Sequence, residues 1–531
     1  MAPAQLGSNA QVKGAEALVR GLVSAGVKVC FANPGTSEMH MVQAIDANNE
    51  MRAVLCLFEG VCTGAADGYA RMHGGAASTL LHLGAGLGNG IANLHNARRA
   101  SSPLVNVVGD HAAYHVHLDA PLTSDIEDVA RGVSAWIRSS RTGENLGQDA
   151  RDAVAAALAA SPENVGNVAT LIVPADCAWG NGHAIPGQPL QRELTEVTNE
   201  GVIEAVAALG SSGEDAMLLL DGSALTAEGV RQAGRIAKKT GCRVFSTTFP
   251  ARVESGPGLF PVARLPYFPE HAAAALEGVK QLVLAGASAP VSFFAYPNTR
   301  SELTPPGCEV ARLGHRHQDI TTGLRRVADA LDAPETPDTV VAGHRPSLPE
   351  GPLSAASIAQ ALGALMPDQA IVATDSGGGG AAYPVLQQAV RHTWLNLTGG
   401  SIGQAGPVAV GAAIACPDRP VFALLGDGAA GYTLQFLWTA AREQLNVVTV
   451  IYANRVYNIL EVEYERLGVN AIGEKAASLF DLGNPDIDWV ALAKGYGVPG
   501  AKAHTADEFV MALETAINTD GPYVIEAVLD A

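Results

Sequence analysis

A chain of 531 residues is too long for one hydrophobic core and suits about three domains of ~150–200 residues each. Its net charge of −19 argues against nucleic acid or an anionic membrane as a partner. Apolar residues make up 48% and charged ones only 16%, so much surface must be buried, part of it expected between subunits.

The seven cysteines are scattered without a CxxC pair, which reads as reduced thiols in a cytoplasmic protein. Residues 1–7 lack the charged and apolar regions of a signal peptide. No apolar run reaches the ~18 residues of a membrane-spanning helix.

From Gln11 the pattern alternates: helix 15–25, strand 27–31, a turn at Asn33-Pro34-Gly35, helix 37–47, strand 53–57 and helix 60–71. Strand 78–82, a Gly-rich turn, helix 90–100 and strand 104–108 follow, and the unit closes near strand 169–173. Such alternation implies a doubly wound parallel sheet over residues 11–180. Residues 181–194 read as a linker. A second α/β unit spans 195–332, with strands at 217–220, 243–246 and 281–285. Residues 333–353 hold five prolines and no apolar period, so they read as a second linker before a third unit, 354–531. The expected fold class is α/β with three doubly wound parallel-sheet domains, the first and third sharing a layout.

In the first unit, Glu59 follows strand 53–57 and opens a helix of small residues. It is either a helix-start carboxylate favoured by the dipole or, with its charged form disfavoured by desolvation, a group that shares a proton with a bound base. His82, ending strand 78–82, is either a satisfied structural histidine or a proton carrier. His111, His115 and His117 follow strand 104–108 and read as pocket rim or solvated loop. No Cys or Glu set accompanies them to make a metal site.

In the third unit, the apolar run 422–425 reads as a buried strand entering Gly426-Asp427-Gly428, a turn too tight for larger side chains. A helical pattern (Leu434, Leu437, Trp438, Ala441) leads to a second apolar strand, 447–452, and then Asn454, 27 positions after Asp427. Parallel strands joined by a helix set their carboxyl ends side by side, where ligands bind in open sheets. A carboxylate, an amide oxygen and a nearby carbonyl are hard donors suited to Mg2+ or Ca2+ holding a phosphorylated cofactor. The glycines let backbone N–H groups approach phosphates. Residues 375–380, Asp-Ser-Gly-Gly-Gly-Gly after strand 370–374, are either a flexible loop or a set of N–H donors for a diphosphate.

The run of strand, Gly-Asp-Gly, helix, strand and Asn resembles the diphosphate-binding motif of thiamine diphosphate (ThDP) enzymes, with Ala453-Asn454 in place of the usual Asn-Asn. The resemblance implies ThDP and Mg2+ as cofactors. It implies Asp427, Asn454 and the Val456 carbonyl as metal ligands, with Gly426, Gly428, Ala429 and Tyr457 lining the cofactor. The segment FEGVCTGAADGYAR resembles the family region whose Glu bonds the aminopyrimidine ring, which gives that part to Glu59. Phe58 stands there for the usual His, and Cys62 for an Ala. Ile402, before Gly-x-x-x-Pro, occupies the place of the bulky aliphatic wedge that bends the cofactor, with Gly400 alongside. Ser376, Gly377 and Gly378 lie in the matching cofactor-lining segment.

The run LLHLGAGLGNGIANLHNARRASSPLV is similar to benzoylformate decarboxylases, where the matching His handles protons on the substrate; this implies that role for His82. Asn33-Pro34-Gly35-Thr36 matches their Asn-Pro-Gly-Ser, implying Thr36 as a substrate contact and Asn33, Pro34 and Gly35 at the cofactor. Their second active-site His has no counterpart in residues 289–295, Ala-Pro-Val-Ser-Phe-Phe-Ala. The loop with His111 and His115 is faintly similar to the His-bearing loop of pyruvate decarboxylases. Leu460 stands where those enzymes use an acid, with Glu461 one place beyond.

Across the chain the pattern is most similar to acetolactate synthase large subunits, with a pocket closer to benzoylformate decarboxylase. The resemblance implies pyrimidine-binding, central and diphosphate-binding domains in a homodimer or homotetramer, Glu59 and Asp427 meeting across the dimer interface. No flavin signature is evident in residues 195–332, so FAD is not expected. The implied activity is decarboxylation of a 2-oxo acid followed by ligation to a second carbonyl. A simple decarboxylase releasing an aldehyde and a non-catalytic ThDP-binding relative are the alternatives.

Overall fold

The computed structural model of the chain describes residues 11–337, 340–469 and 471–529. The reading of residues 1–7 lies outside the described residues, as do positions 338–339 of the second linker and 530–531 of the third unit.

Three predominantly parallel sheets follow one another. The first runs, edge to edge, Arg52–Leu55, Val29–Asn33, Ala77–Leu81, Leu104–Asp110, Val168–Pro174 and Trp136–Ser139, every pair parallel. The middle sheet runs Ala263–Arg264, Arg243–Ser246, Ala216–Leu220, Gln281–Ala285 and Glu309–Gly314, again all parallel. The third runs His392–Asn396, Ala370–Thr374, Val421–Gly426, Val447–Ala453, Tyr523–Val528 and Gly500–Ala503 in parallel, with Val253–Ser255 added antiparallel beside His392–Asn396. Numbered by chain order, the parallel strands of the first and third sheets stand second, first, third, fourth, sixth, fifth in both. Helices cover both faces of the third sheet, so strands such as Val447–Ala453 are buried along their whole length and are apolar but for Thr449.

The structure differs from the sequence reading in several places. The glycines of 84–90 do not form a turn: helix Leu83–Ala100 begins directly after His82. They serve close approach instead, since a Cβ on Gly90 would lie 2.9 Å from Thr63 and one on Gly84 2.0 Å from the Ser124 hydroxyl. The four glycines from Gly377 are likewise helical, opening helix Gly377–Ala389 with the Ser376 hydroxyl as its N-cap. Asn181–His183, inside the stretch read as a linker, pairs with Gln11–Lys13. Val253–Ser255, from the middle stretch of the chain, hydrogen-bonds into the third sheet. Strands Trp136–Ser139 and Glu309–Gly314 escape the sequence reading because they are sheet edges, exposed enough to carry mixed polar residues.

The first and third units pack through two small-residue helices, Glu59–His73 and Ala405–Ala415. A Cβ on Gly411 would lie 1.8 Å from the Ala65 carbonyl, and one on Gly68 2.1 Å from the Val408 carbonyl, so only glycine permits this crossing. At its end sits a buried network. Asp67, fully enclosed, accepts from Arg71 at 2.8 and 2.6 Å and from Gln404 at 2.6 Å. Arg71 also donates to the Asn396 carbonyl and the Thr398 hydroxyl, at 2.8 and 3.0 Å. All seven cysteines are free thiols, and no described helix is long and apolar enough to cross a membrane.

Candidate active site

The carboxyl end of the first sheet gathers most of the residues singled out there. Val29–Asn33 ends in the turn Asn33-Pro34-Gly35, after which Thr36–Glu38 forms a single 3-10 turn with Thr36 exposed. Glu38 folds back from it. Its Oε2 accepts from the Gly35 N–H at 2.8 Å and bonds His82 Nδ1 at 2.8 Å. Gly35 is required there, since a Cβ would lie 2.2 Å from His82 Nδ1. The Glu38 carboxylate is wholly buried, and burial pushes its pKa up, against the opposing influence of His82. Glu38 was missed from sequence; an acid three residues after a Pro-Gly turn reads only as a capping residue.

Glu59 is the first residue of its helix and 7% exposed. Asn89, nearly two turns into the neighbouring helix, donates to its Oε2 at 2.9 Å. Glu59 and His82 are neighbours across Gly86: a Cβ there would sit 3.1 Å from Glu59 Oε1 and 3.4 Å from His82 Cβ. A carboxylate and an imidazole held side by side at one strand end can hold and move a proton. His111 and His115 lie 5.5 Å apart, ring to ring, on the neighbouring loop. Among the described residues no hydrogen bond or ring contact ties either to Glu59 or His82.

The carboxyl end of the third sheet carries the oxygen donors. Val421–Gly426 and Val447–Ala453 are paired in register, Gly426 opposite Tyr452, so Asp427 and Asn454 leave neighbouring strand ends. Asp427 is 5% exposed; its Oδ1 accepts from the Gly428 N–H at 2.8 Å and its Oδ2 from the Arg455 N–H at 2.6 Å. Burial raises its pKa against those two bonds. Arg455 adopts φ +57°, a left-handed backbone that a non-glycine residue holds only when its surroundings fix it. Here Asp427 holds its N–H and the Leu529 carbonyl its guanidinium, at 3.1 Å. Beyond it, Arg455 O and Tyr457 N bond the 480–482 segment, which leaves the Val456 carbonyl outside that pairing. The Asn454 amide oxygen is 3.4 Å from the Val456 N–H.

Around these donors, the Tyr457 ring covers Gly428, where a Cβ would lie 2.2 Å from Cε1. Ala429 is buried in the short helix Asp427–Ala430. Gly426 faces Ser376, whose helix directs its first N–H groups toward the same crevice, with Gly377 exposed and Gly378 against Tyr452. The loop through Gly400 and Ile402 is pinned to the first unit. His95 bonds the Gly399 carbonyl at 3.1 Å, Asn96 the Ser401 carbonyl at 2.8 Å, and Asn93 reaches both Gly60 and Gly403 carbonyls. Asp375 braces the loop from beneath, accepting from the Gly403 and Ala405 N–H groups at 3.0 and 3.1 Å. Leu460 is 41% exposed on helix Asn458–Arg466.

A carboxylate, an amide oxygen and a carbonyl without a partner among the described residues at adjoining strand ends, beside a glycine-rich helix start, fit a divalent cation and a diphosphate. Comparison with known proteins decides the family. The description "Thiamine pyrophosphate enzyme, N-terminal TPP binding domain" matches residues 12–130, and "C-terminal TPP binding domain" matches 373–527. A Mycobacterium tuberculosis protein named as a candidate acetolactate synthase large subunit, IlvX, is 50% identical over 98% of this chain and 99% of its own. The chain belongs to the thiamine pyrophosphate enzyme family. Benzoylformate decarboxylase of Pseudomonas aeruginosa is 26% identical over 94% of this chain and 96% of its own. The fold is also that of 4-hydroxybenzoylformate decarboxylase from Rhodococcus jostii, with a TM-score of 0.84, 24% identity and 98% and 99% of the two chains covered. This is therefore a ThDP-dependent enzyme related to acetolactate synthases and benzoylformate decarboxylases. The family matches fall on the first and third sheets, whose strand ends carry the residues just described.

Proposed function

We propose that this ThDP-dependent enzyme uses Mg2+ to remove CO2 from a 2-oxo acid and returns a proton to the remaining carbon, releasing an aldehyde. When bound, ThDP would supply a nucleophilic carbon for the 2-oxo group and a cationic ring that accepts the electrons left by CO2. Asp427, Asn454 and the Val456 carbonyl would hold the cation, and the N–H groups after Ser376 and Gly426 the diphosphate. Gly400 and Ile402 would support the rings from the pinned loop. Glu59 would protonate the cofactor's ring nitrogen from its buried place at the helix start.

The observation that carries the aldehyde reading is the Glu38–His82 pair beside Glu59. A wholly buried carboxylate fixes Nδ1, and among the described residues Nε2 has no hydrogen-bond partner, so that edge is left to exchange a proton with substrate. Ligation to a second carbonyl is the second reading, supported by the half-identical relative named for acetolactate synthesis. Under either, residues 11–180 form the pyrimidine-binding unit, 195–332 the central unit and 354–531 the diphosphate-binding unit. The linkers are 181–194, whose first residues Asn181–His183 close back on the first unit, and 333–353. From the family resemblance, we place the working site between Glu59 and Asp427 of the partner subunit in a homodimer or homotetramer.

The test is a screen of the protein with ThDP and Mg2+ over pyruvate, 2-oxobutyrate, branched 2-oxo acids and benzoylformate, reading CO2 and carbonyl products. Equal amounts of CO2 and aldehyde are expected. CO2 with a 2-hydroxy ketone or 2-hydroxy acid would establish ligation instead. Absence of CO2 from every acid would overturn both readings.

A further inference from the structure

The segment 289–299 of the middle unit brings no histidine to the site, but it brings an aromatic ring to the cofactor-side loop. Phe293 lies directly over Gly400: a Cβ on that glycine would sit 2.7 Å from Phe293 Cζ. Gly400 itself has φ +79°, so both its backbone and its neighbour demand glycine. The ring is held from behind by Phe249 at 5.6 Å and Tyr267 at 5.2 Å, with Phe294 edge-on at 4.8 Å. Yet Phe293 remains 41% exposed and Phe294 55%.

Helix Asn458–Arg466 follows Asn454 and Tyr457 almost directly. Two contacts fasten it to the same segment. The Tyr296 hydroxyl donates to Glu463 at 2.8 Å. The Arg466 guanidinium lies between the Tyr296 and Phe268 rings, 4.6 Å from each centroid, and is ion-paired with Glu270. Ile459 and Leu460 precede Glu463 by four and three residues, so they share the helix face that these contacts turn toward the aromatic segment. Both are exposed, Ile459 47% and Leu460 41%. Phe293 thus covers Gly400, and the helix that carries Ile459 and Leu460 is fastened to the same segment three residues further on, at Tyr296.

We propose that Phe293 is the specificity-determining residue of the site and that the acid it selects carries an aromatic side chain, with Arg466 as the positioning residue that fastens the helix of Ile459 and Leu460 to the same segment. This rests on the reading of the Gly400 loop as part of a ThDP site for 2-oxo acids. A methyl group would leave these apolar faces in water. A phenyl ring would cover them and meet Phe293 in the edge-to-face or offset geometry that aromatic rings favour. Burial on that scale corresponds to a preference of about tenfold or more.

The test uses protein loaded with ThDP and Mg2+, with methyl benzoylphosphonate and methyl acetylphosphonate as aromatic and methyl probes of a 2-oxo acid site. Their Kd values are measured by calorimetry. The aromatic probe should bind at least about tenfold tighter. Phe293→Ala should erase most of that preference by weakening the aromatic probe alone, while Phe293→Tyr keeps it. Arg466→Ala should lower the preference in the same direction, leaving ThDP affinity, read by tryptophan fluorescence, unchanged. Equal binding of the two probes by the wild type, or an equal loss of both in Phe293→Ala, would overturn the proposal while leaving the ThDP site standing. Failure of the protein to bind ThDP in the fluorescence titration would bring down the functional reading and this inference together.

Discussion

The first and third sheets have the same strand order, but their carboxyl ends are furnished differently. After the third strand of each unit comes His82 in one and Asp427 in the other; after the fourth, His111 in one and Asn454 in the other. After the second strand come Glu59 and its helix in the first unit, and the Gly400–Ile402 loop with its helix in the third. Those two helices are the pair that cross at Gly68 and Gly411. One topology therefore offers the same places twice, and chemistry separates them: proton-bearing groups on the first sheet, oxygen donors and N–H groups on the third. The scaffold fixes where ligands can sit, and the side chains at strand ends decide what they do.

The sharpest way to break this comparison is to remove one residue from each side. Asp427→Ala should weaken ThDP and Mg2+ binding by about 100-fold or more, because the site loses its charged donor. Glu59→Gln should leave that affinity within about tenfold but lower turnover of the best 2-oxo acid by ~10²–10⁴, the usual worth of a positioned acid–base group. Fluorescence titration and CO2 release measure the two effects separately. If the variants lose binding and turnover in the same proportion, the division of labour between the sheets is wrong.

The seam between the units gives the next effect in size. Asp67→Ala leaves Arg71 buried without its partner, a change that costs about 3–5 kcal/mol where both groups are fully enclosed. A thermal midpoint lowered by several degrees, followed by circular dichroism, is the expected result. A midpoint within a degree of wild type would show that the Asn396 and Ala251 carbonyls and the Thr398 hydroxyl can hold Arg71 unaided.

Much of this was legible in the chain. Val421–Gly426 and Val447–Ala453 are buried on both faces, so they read as nearly continuous apolar runs and the Asp427–Asn454 spacing stands out between them. The Glu59 helix is read from its small residues. What escaped was set by tertiary packing. The glycines from 84 and from 377 look like breaks when the neighbours they accommodate are unknown, and both runs are helical. Glu38 becomes visible only when the His82 ring is seen against Gly35. Phe293 is meaningful only through its contact with Gly400, more than 100 residues away in sequence.

The smallest effect concerns the first place in each unit, where Asn33 ends one strand and Asp375 follows the other. The residue as a whole is half-buried, but Asp375 Oδ1 is enclosed without a hydrogen-bond partner among the described residues. Burial raises its pKa to about 6 despite the N–H groups of Gly403, Gln404 and Ala405. Since the folded value lies above the ordinary carboxylate value, the folded state holds the proton more tightly. The penalty is absent below about pH 4, grows as pH rises toward 6, and is constant above, of order 3 kcal/mol. Asp375→Asn copies the residue type of the first unit and keeps an acceptor for the Gly403 and Ala405 N–H groups. Without ThDP, the variant should be more stable than wild type at pH 7.5, and that advantage should shrink or vanish at pH 4.5, read as thermal midpoints at both values. A difference that is the same at both pH values would mean that the Asp375 carboxylate is not the group titrating in this window.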